Sequence, residues 1–343
     1  NTTASNNVAI GLDCMGANTT GANNTAVGAN ALNQNSTADS NVAVGYDAMR
    51  ANTTGTQNVA IGEYALDANT TGSSNVAVGR NSMTANTTGA TNAAFGLNTL
   101  EVNTTGSNNT AIGDGALNQN TTANLNTAVG RQCLLYCTTG TQNSALGANA
   151  GDSVTTGNGN TIVGYNAGQA VTTGGYNVFL GYSAASTQID TGSNHLFIAR
   201  GNAGAGNADV WIYGNSSGAC YQGNNSSTWS TTSDIRLKKN IVDNIKGLSE
   251  INQLRVTNFE YRKEDEIDMS EFPLAENPNQ VVLGKGDEGV HTGVIAQEVE
   301  TILPECIKVS DRGSKTVNTD PIMWALVNAV KELSTKNDAL EAR

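Results

Sequence analysis

Few side chains in this 343-residue sequence have types and spacing suited to chemistry, and the cysteines are the first set to consider. A disulfide framework needs an even number of cysteines, and a zinc site needs a second pair or histidines at set spacings. Cys133 and Cys137 are close together, but no such partners accompany them. We therefore expect packing residues, with no metal and no cofactor. The five cysteines are Cys14, Cys133, Cys137, Cys220 and Cys306.

The carboxylates are the second set, because a glycosidase needs two of them flanking one sugar linkage. The acidic residues in the N-terminal part are sparse and occupy different phases of the repeat described below. They form no obvious pair, so hydrolysis of an external glycan is kept only as an alternative. These residues are Asp13, Asp47, Glu63, Asp67, Glu101 and Asp114.

The single basic cluster consists of Arg236, Lys238 and Lys239, shortly after Ser233. On composition alone it is typical of a solvated turn. Nucleic-acid binding needs many clustered cations, whereas the net charge here is −12, so we expect no nucleic-acid partner. The sequence has no run of about 18 apolar residues, so we expect no membrane insertion.

The N-terminal part of the sequence consists of a strict repeat. The pentapeptide Asn, small or β-branched, Ala, apolar, Gly recurs every 17 residues from Asn7 to Asn177, with a degenerate twelfth copy at Asn194. Seventeen residues are too few for the helix pairs of about 34 residues found in other repeat proteins. They suffice for one coil of short strands and glycine turns. The sequence therefore predicts a parallel β-solenoid with asparagines stacked in an amide ladder.

Two apolar columns recur in phase, one beginning with Ile10 and Val27 and the other with Met15 and Leu32. Because successive strand residues face opposite sides, Ala and its apolar neighbour cannot both point into one coil. We expect both columns to need cover from other chains, which predicts a homotrimer. The pentapeptide also resembles the head repeat of YadA-type trimeric autotransporter adhesins, which implies trimers of parallel β-rolls.

The repeat degenerates near its end, where aromatic residues become frequent. We interpret them as the core of a cap that closes the solenoid. A glycan-binding platform of stacked rings is the alternative. These residues are Tyr176, Phe179, Tyr182, Phe197, Trp211, Tyr213, Tyr221 and Trp229.

Composition changes abruptly after Thr232, where charged residues become dense and helical patterns begin. One motif runs Ser-Asp-Ile-Arg-Leu-Lys-Lys-Asn-Ile over residues 233–241. A second runs Gly-Val-Ile-Ala-Gln-Glu-Val over 293–299, followed by Leu-Pro-Glu over 303–305. Together they resemble the intramolecular chaperone domain of phage tailspikes and endosialidases, the peptidase S74 family. The resemblance covers residues 233–343 and implies self-cleavage.

This resemblance implies a cut between Thr232 and Ser233, with Ser233 as the nucleophile and Lys238 as its base. The serine would attack the preceding carbonyl and convert the amide to an ester, which water would hydrolyse. Lysine acts as a base only when neutral, so its pKa must fall from about 10.4 towards 7–8 through burial or nearby positive charge. Arg236 and Lys239 could supply that charge.

The remaining motif residues are predicted to support this site. Asp234 would orient the turn or pair with Arg236. Gln297 and Glu298 lie in the second motif, which in the family packs near the cleavage site. His291, just before that motif, is interpreted as structural.

Two helices are predicted in this part of the chain. The first covers Gly293–Leu303 and ends at Pro304. The second starts at Asp320-Pro321 and carries a heptad seam, which predicts a short trimeric coiled coil that holds three chains in register. The seam residues are Ile322, Leu326, Ala329, Leu333, Lys336 and Leu340.

These observations predict three regions: a mainly β solenoid shaft at 1–198, a cap and linker at 199–232, and an α+β chaperone at 233–343. We expect the distal segment of a phage tail fibre, made in the host bacterial cytoplasm and carried on the virion. Its expected partners are two identical chains, a bacterial cell-surface receptor of glycan type and tail proteins N-terminal to this segment. A glycan-degrading tailspike and a trimeric bacterial surface adhesin are the alternatives.

Overall fold

The computed structural model divides into two compact units, Asn1–Ser230 and Thr231–Arg343. The residues that the structure describes are 3–186, 191–201, 210–216, 220–222, 236, 238–273, 275–276, 289–310 and 313–342.

The N-terminal unit is a β-solenoid of about 11 turns, as the repeat predicts. Consecutive strands pair in parallel with a 17-residue offset, so that Ala26 lies beside Ala43 and Val27 beside Val44. The eleven three-residue strands are β1 (Val8–Ile10), β2 (Thr25–Val27), β3 (Val42–Val44), β4 (Val59–Ile61), β5 (Val76–Val78), β6 (Ala93–Phe95), β7 (Thr110–Ile112), β8 (Thr127–Val129), β9 (Ser144–Leu146), β10 (Thr161–Val163) and β11 (Val178–Leu180).

The interior of each coil is narrow and is filled from two sides. The central strand residue, such as Ala43, points inwards and is fully buried, while its neighbours point outwards as strand alternation requires. The column of Leu32 and Met49 closes the opposite side and is also fully buried within the single chain. The expectation that this second column needs cover from other chains is therefore wrong. These residues have positive φ (49° for Leu32, 50° for Met49), which turns the chain back and directs the side chain onto the alanines.

Asparagines hold successive coils together in two different columns. In the pentapeptide column, Asn24 accepts a hydrogen bond from the main-chain N–H of Asn41 through Oδ1 (2.9 Å). Asn41 Nδ2 donates to the carbonyl oxygen of Gly55 (2.9 Å). This column therefore binds side chain to main chain more than side chain to side chain.

The continuous amide ladder lies in the other column, which begins each Asn-Thr-Thr triplet. Asn52 Nδ2 donates to Asn35 Oδ1 (3.0 Å), and Asn69 Nδ2 donates to Asn52 Oδ1 (2.9 Å). Asn52 and Asn69 are fully buried, so these two triplets offer no accessible acceptor for glycosylation in the folded chain.

The twelfth coil departs from the predicted register. Val178 pairs with Leu196, an offset of 18 residues, and His195 N–H donates to Asn177 Oδ1 (2.9 Å). His195 therefore occupies the pentapeptide Asn position, and the assignment of Asn194 as the twelfth copy is wrong. The final coil therefore contains one additional residue. Asn194 occupies the position that Tyr176 holds in the preceding coil, and both residues have positive φ (60° for Asn194, 58° for Tyr176).

Three further strands close this sheet: β12 (Leu196–Ala199) runs parallel to β11, whereas β13 (Val210–Gly214) and β14 (Cys220–Gln222) are antiparallel. Phe179 and Phe197 are buried, with ring centroids 5.9 Å apart, and Phe197 lies 4.8 Å from the Tyr213 ring. The cap-core interpretation is confirmed for these residues. The rings of Tyr176, Tyr182 and Trp211 are exposed. The Tyr221 side chain and Trp229 lie outside the described part of the chain.

The C-terminal unit is small and α+β. Val299, Leu303 and Cys306 form its buried centre, against which Ile322 packs. Its antiparallel strand pairs are β15 (Thr257–Phe259) with β16 (His291–Gly293) and β17 (Ile307–Val309) with β18 (Lys315–Val317). The elements are α1 (Leu248–Ile251), β15 (Thr257–Phe259), β16 (His291–Gly293), α2 (Ala296–Ile302), β17 (Ile307–Val309), β18 (Lys315–Val317) and α3 (Asp320–Glu341).

Both predicted helices are present with altered details. α2 is shorter than predicted, because Gly293 ends strand β16 and the helix starts at Ala296. α3 starts at Asp320 with proline in its first turn, as predicted. Of the proposed seam, Ala329 is buried within the chain, whereas Leu326 and Leu333 are exposed. None of the helices in the described residues has the length and apolar character that a membrane crossing requires.

Candidate self-cleavage site

The predicted site is only partly described by the structure. Thr232, Ser233 and Asp234 lie outside the described residues, so the cut and its nucleophile stay predictions. Arg236 and Lys238 are described, and both are exposed in the single chain. The burial that the proposed base needs is therefore not supplied by the described residues of this chain.

The segment after the cluster has no regular structure until α1 and presents exposed apolar side chains at Ile241, Val242 and Ile245. Its end is bound by α3. Asn328 Nδ2 donates to the carbonyl oxygens of Asn244 and Lys246, both at 2.9 Å.

A second contact lies one turn further along α3. Glu332 Oε1 accepts a hydrogen bond from the main-chain N–H of Leu248 (3.3 Å). Gly247 is buried beneath this carboxylate, and a Cβ added there would lie 2.0 Å from Glu332 Oε1. We call these contacts of Asn328 and Glu332 with residues 244–248 the α3 clamp.

The two predicted supporting residues of α2 differ in their surroundings. Gln297 is exposed. Glu298 forms an ion pair with Arg255. Arg255 Nε donates to Glu298 Oε2 (3.1 Å), and Arg255 Nη2 donates to Glu298 Oε1. The hydrogen bonds from Arg255 hold the pKa of the Glu298 carboxyl below its usual range. Glu298 is thus a paired carboxylate that joins α2 to the loop before β15.

His291 lies in β16 within a small aromatic cluster. Its ring centroid is 5.1 Å from Tyr261 and 5.8 Å from Phe259. Phe259 and His291 are paired residues of the two antiparallel strands, which brings the rings together. These ring contacts agree with the structural interpretation of this histidine.

The sequence motifs also match a known family. Residues 233–308 match the peptidase S74 family, described as chaperone of endosialidase. The chain carries a peptidase S74 domain. Together with the β-solenoid of about 11 turns, this chaperone-of-endosialidase domain fits a protein of the tail fibre or tailspike type. Asn328 and Glu332 lie beyond the matched residues of the domain.

Sequence reasoning did not find the Arg255–Glu298 pair or the α3 clamp. The clamp joins residues 84 positions apart, and neither Asn328 nor Glu332 belongs to a motif. Both lie between the predicted seam positions of α3, where polar residues are expected on any solvated helix.

The solenoid offers a separate candidate surface along its sheet. The third residue of each strand from β1 to β11 is apolar and points outwards, and all eleven are partly or fully exposed in the single chain. We call this column the apolar stripe. It consists of Ile10, Val27, Val44, Ile61, Val78, Phe95, Ile112, Val129, Leu146, Val163 and Leu180.

Proposed function

We propose that the chain is the distal segment of a phage tail fibre that binds a host surface. Its S74 domain would drive trimerisation and then separate from the shaft by self-cleavage between Thr232 and Ser233. The observation that carries this proposal is the succession of a 17-residue β-solenoid and a chaperone-of-endosialidase domain in one chain.

The apolar stripe supports association of the shafts. An uninterrupted apolar column on an exposed sheet face marks an interaction surface, because soluble monomers rarely expose large contiguous apolar patches. Three copies around a common axis would cover all three stripes at once. The exposed apolar residues of α3 would join the same assembly in the C-terminal unit; these are Met323, Leu326, Val330, Leu333 and Leu340.

Assembly would also complete the chemistry of cleavage. Ser233 Oγ would attack the carbonyl carbon of Thr232 while its proton passes to the neutral amine of Lys238. Lys238 would return this proton to the peptide nitrogen, which leaves as the free amine of Ser233. Water would then hydrolyse the ester to the Thr232 carboxylate and restore the Ser233 hydroxyl. Because Lys238 is exposed in the single chain, we propose that a neighbouring chain supplies its burial, which makes cleavage follow trimer formation.

The test is Ser233→Ala, with Ser249→Ala as the control at an exposed serine of α1. The wild type and the control should release a fragment of 111 residues (343 − 232) on a denaturing gel, while Ser233→Ala stays intact. Lys238→Arg should also stay intact, because arginine keeps its proton, whereas Lys239→Arg should cleave. Cleavage in the Ser233→Ala variant would refute the assignment.

A glycan receptor is supported by the exposed tyrosines near the end of the shaft. Tyr165 and Tyr182 stack with ring centroids 5.5 Å apart and an interplanar angle of 18°. Because these two exposed rings stack on each other, their outer faces and edges are the amphipathic surfaces against which a sugar would pack. Loss of cell binding in Tyr182→Ala, with Tyr136→Ala as an exposed-tyrosine control, would support this receptor class; equal binding by both would contradict it.

A further inference from the structure

The α3 clamp connects two parts of the C-terminal unit that the proposed function treats separately. The face of α3 that carries Asn328 and Glu332 contacts the chain leading from the predicted cut. Other positions of the same helix carry the exposed residues Leu326, Val330 and Leu333, which we assign to assembly. One helix therefore contacts residues 244–248, downstream of the predicted cut, and also presents the surface that would join the chains.

The clamp acts on main-chain groups, so it constrains the path of the backbone. Asn328 bridges two carbonyl oxygens that are two residues apart, and Glu332 binds the N–H that follows. Gly247 between them leaves the space that the Glu332 carboxylate occupies. Three main-chain groups within five residues are thus fixed to two side chains of α3.

We propose that Asn328 and Glu332 are positioning residues for self-cleavage, which present the segment that carries the scissile bond only when α3 is formed. This inference rests on the proposed self-cleavage. Residues 330–341 of α3 are exposed in the single chain, and isolated helices are marginal in water, so association of the chains would stabilise α3. The clamp would transmit that ordering to residues 244–248 and, through them, to the cut.

The experiment measures cleavage and assembly independently in the full chain. Asn328→Asp removes both donated hydrogens and places carboxylate oxygens against two carbonyls. Asn337→Asp is the matched control, because Asn337 Nδ2 donates to Glu341 on the same helix. Cleavage is followed on denaturing gels, and trimer content and melting temperature are measured in a Ser233→Ala background.

We expect Asn328→Asp to slow cleavage by roughly tenfold or more, with trimer content and melting temperature equal to those of Asn337→Asp. Gly247→Ala should displace the Glu332 carboxylate, so it should slow cleavage as Glu332→Ala does, and the double variant should be no slower than either single one.

Wild-type cleavage rates in Asn328→Asp and Glu332→Ala would overturn the inference. A loss of cleavage matched by an equal loss of trimer would also overturn it, because the clamp would then be merely structural. If the wild type and Asn337→Asp also fail to cleave, the proposed function itself fails, which is a distinguishable result.

Discussion

Asn86 Nδ2 donates a hydrogen bond to Asn69 Oδ1 of the preceding coil at 2.8 Å, and both side chains are fully buried. Asn86 also donates to Gly89 O (3.0 Å) and accepts from Asn103 Nδ2 (2.8 Å). The ladder ends at Asn120, whose Oδ1 is buried without a partner because Cys137 follows in the next coil.

Asn86→Val should therefore destabilise the shaft strongly. The substitution leaves the buried Asn69 Oδ1 without a donor, at roughly 1–3 kcal/mol. It also removes one hydrogen bond each from Gly89 O and Asn103 Nδ2, which keep Asn75 Nδ2 and Gly106 O as partners. Valine is a fair replacement, because Val154 and Val171 fill this column in later coils. Asn120→Val is the matched variant at the ladder end and should cost about half as much, since it also removes an unpaired oxygen. Equal losses in chemical denaturation would contradict the ladder.

The corner glycine of the coil should not accept a side chain. Gly79 has a φ of 140°, and a Cβ there would lie 2.2 Å from the carbonyl oxygen of Gly96. Gly79→Ala should cost at least about 3 kcal/mol from backbone strain and overlap. Gly115, with a φ of 67° and only ordinary contacts for a Cβ, is the control; Gly115→Asn should change unfolding stability by less than about 1 kcal/mol.

The two buried thiols should make the shaft sensitive to high pH. Burial raises the pKa of Cys133 and of Cys137 from 9.0 to about 12. Folding then favours the neutral thiol, so this contribution to stability is complete below pH 9 and is lost as pH rises towards 12. The melting temperature of the wild type should therefore fall more between pH 8 and pH 11 than that of a control without these thiols.

The control for this effect is the double variant Cys133→Ala, Cys137→Val. It uses the residues found at the same positions in the next coil, Ala150 and Val154, both fully buried. Other titrating groups are unchanged, so the difference between the two pH profiles isolates the thiols. Identical profiles would contradict the assignment.

The apolar stripe should control association of the shafts. Ile112→Asp places a charge within the stripe and should shift the chain from trimer to monomer in sedimentation experiments, because an unpaired buried charge is costly. Leu125→Asp is the matched control, since Leu125 is also exposed but lies outside the stripe. Trimers that persist in Ile112→Asp would place the interface elsewhere.

The periodicity of the shaft was predictable because Asn24, Asn41 and their equivalents fix one register. The inward direction of the Leu32 side chain was not predictable, since it depends on a positive φ that leucine rarely adopts. His195 was missed because Asn194 preserves the spacing by coincidence, while the additional residue shifts the pairing.

The candidate site was predictable only as a motif. Ser233 and Lys238 stay predictions from residue types and order, because burial of a lysine depends on packing that the sequence does not show and Lys238 is exposed in the single chain. Packing also decides the partners of Asn328 and Glu332, which become apparent only when α3 contacts residues 244–248.

The reversal of direction at β13 has a consequence for the length of the shaft. A parallel stack exposes unpaired N–H and C=O groups at its last coil, and another molecule could add to such an edge. At β12 that edge is already taken by a strand running the other way. The last edge of the sheet among the described residues belongs to β14, a strand of three residues. Because so short an edge offers few main-chain groups, end-to-end addition of solenoids at this terminus should be weak.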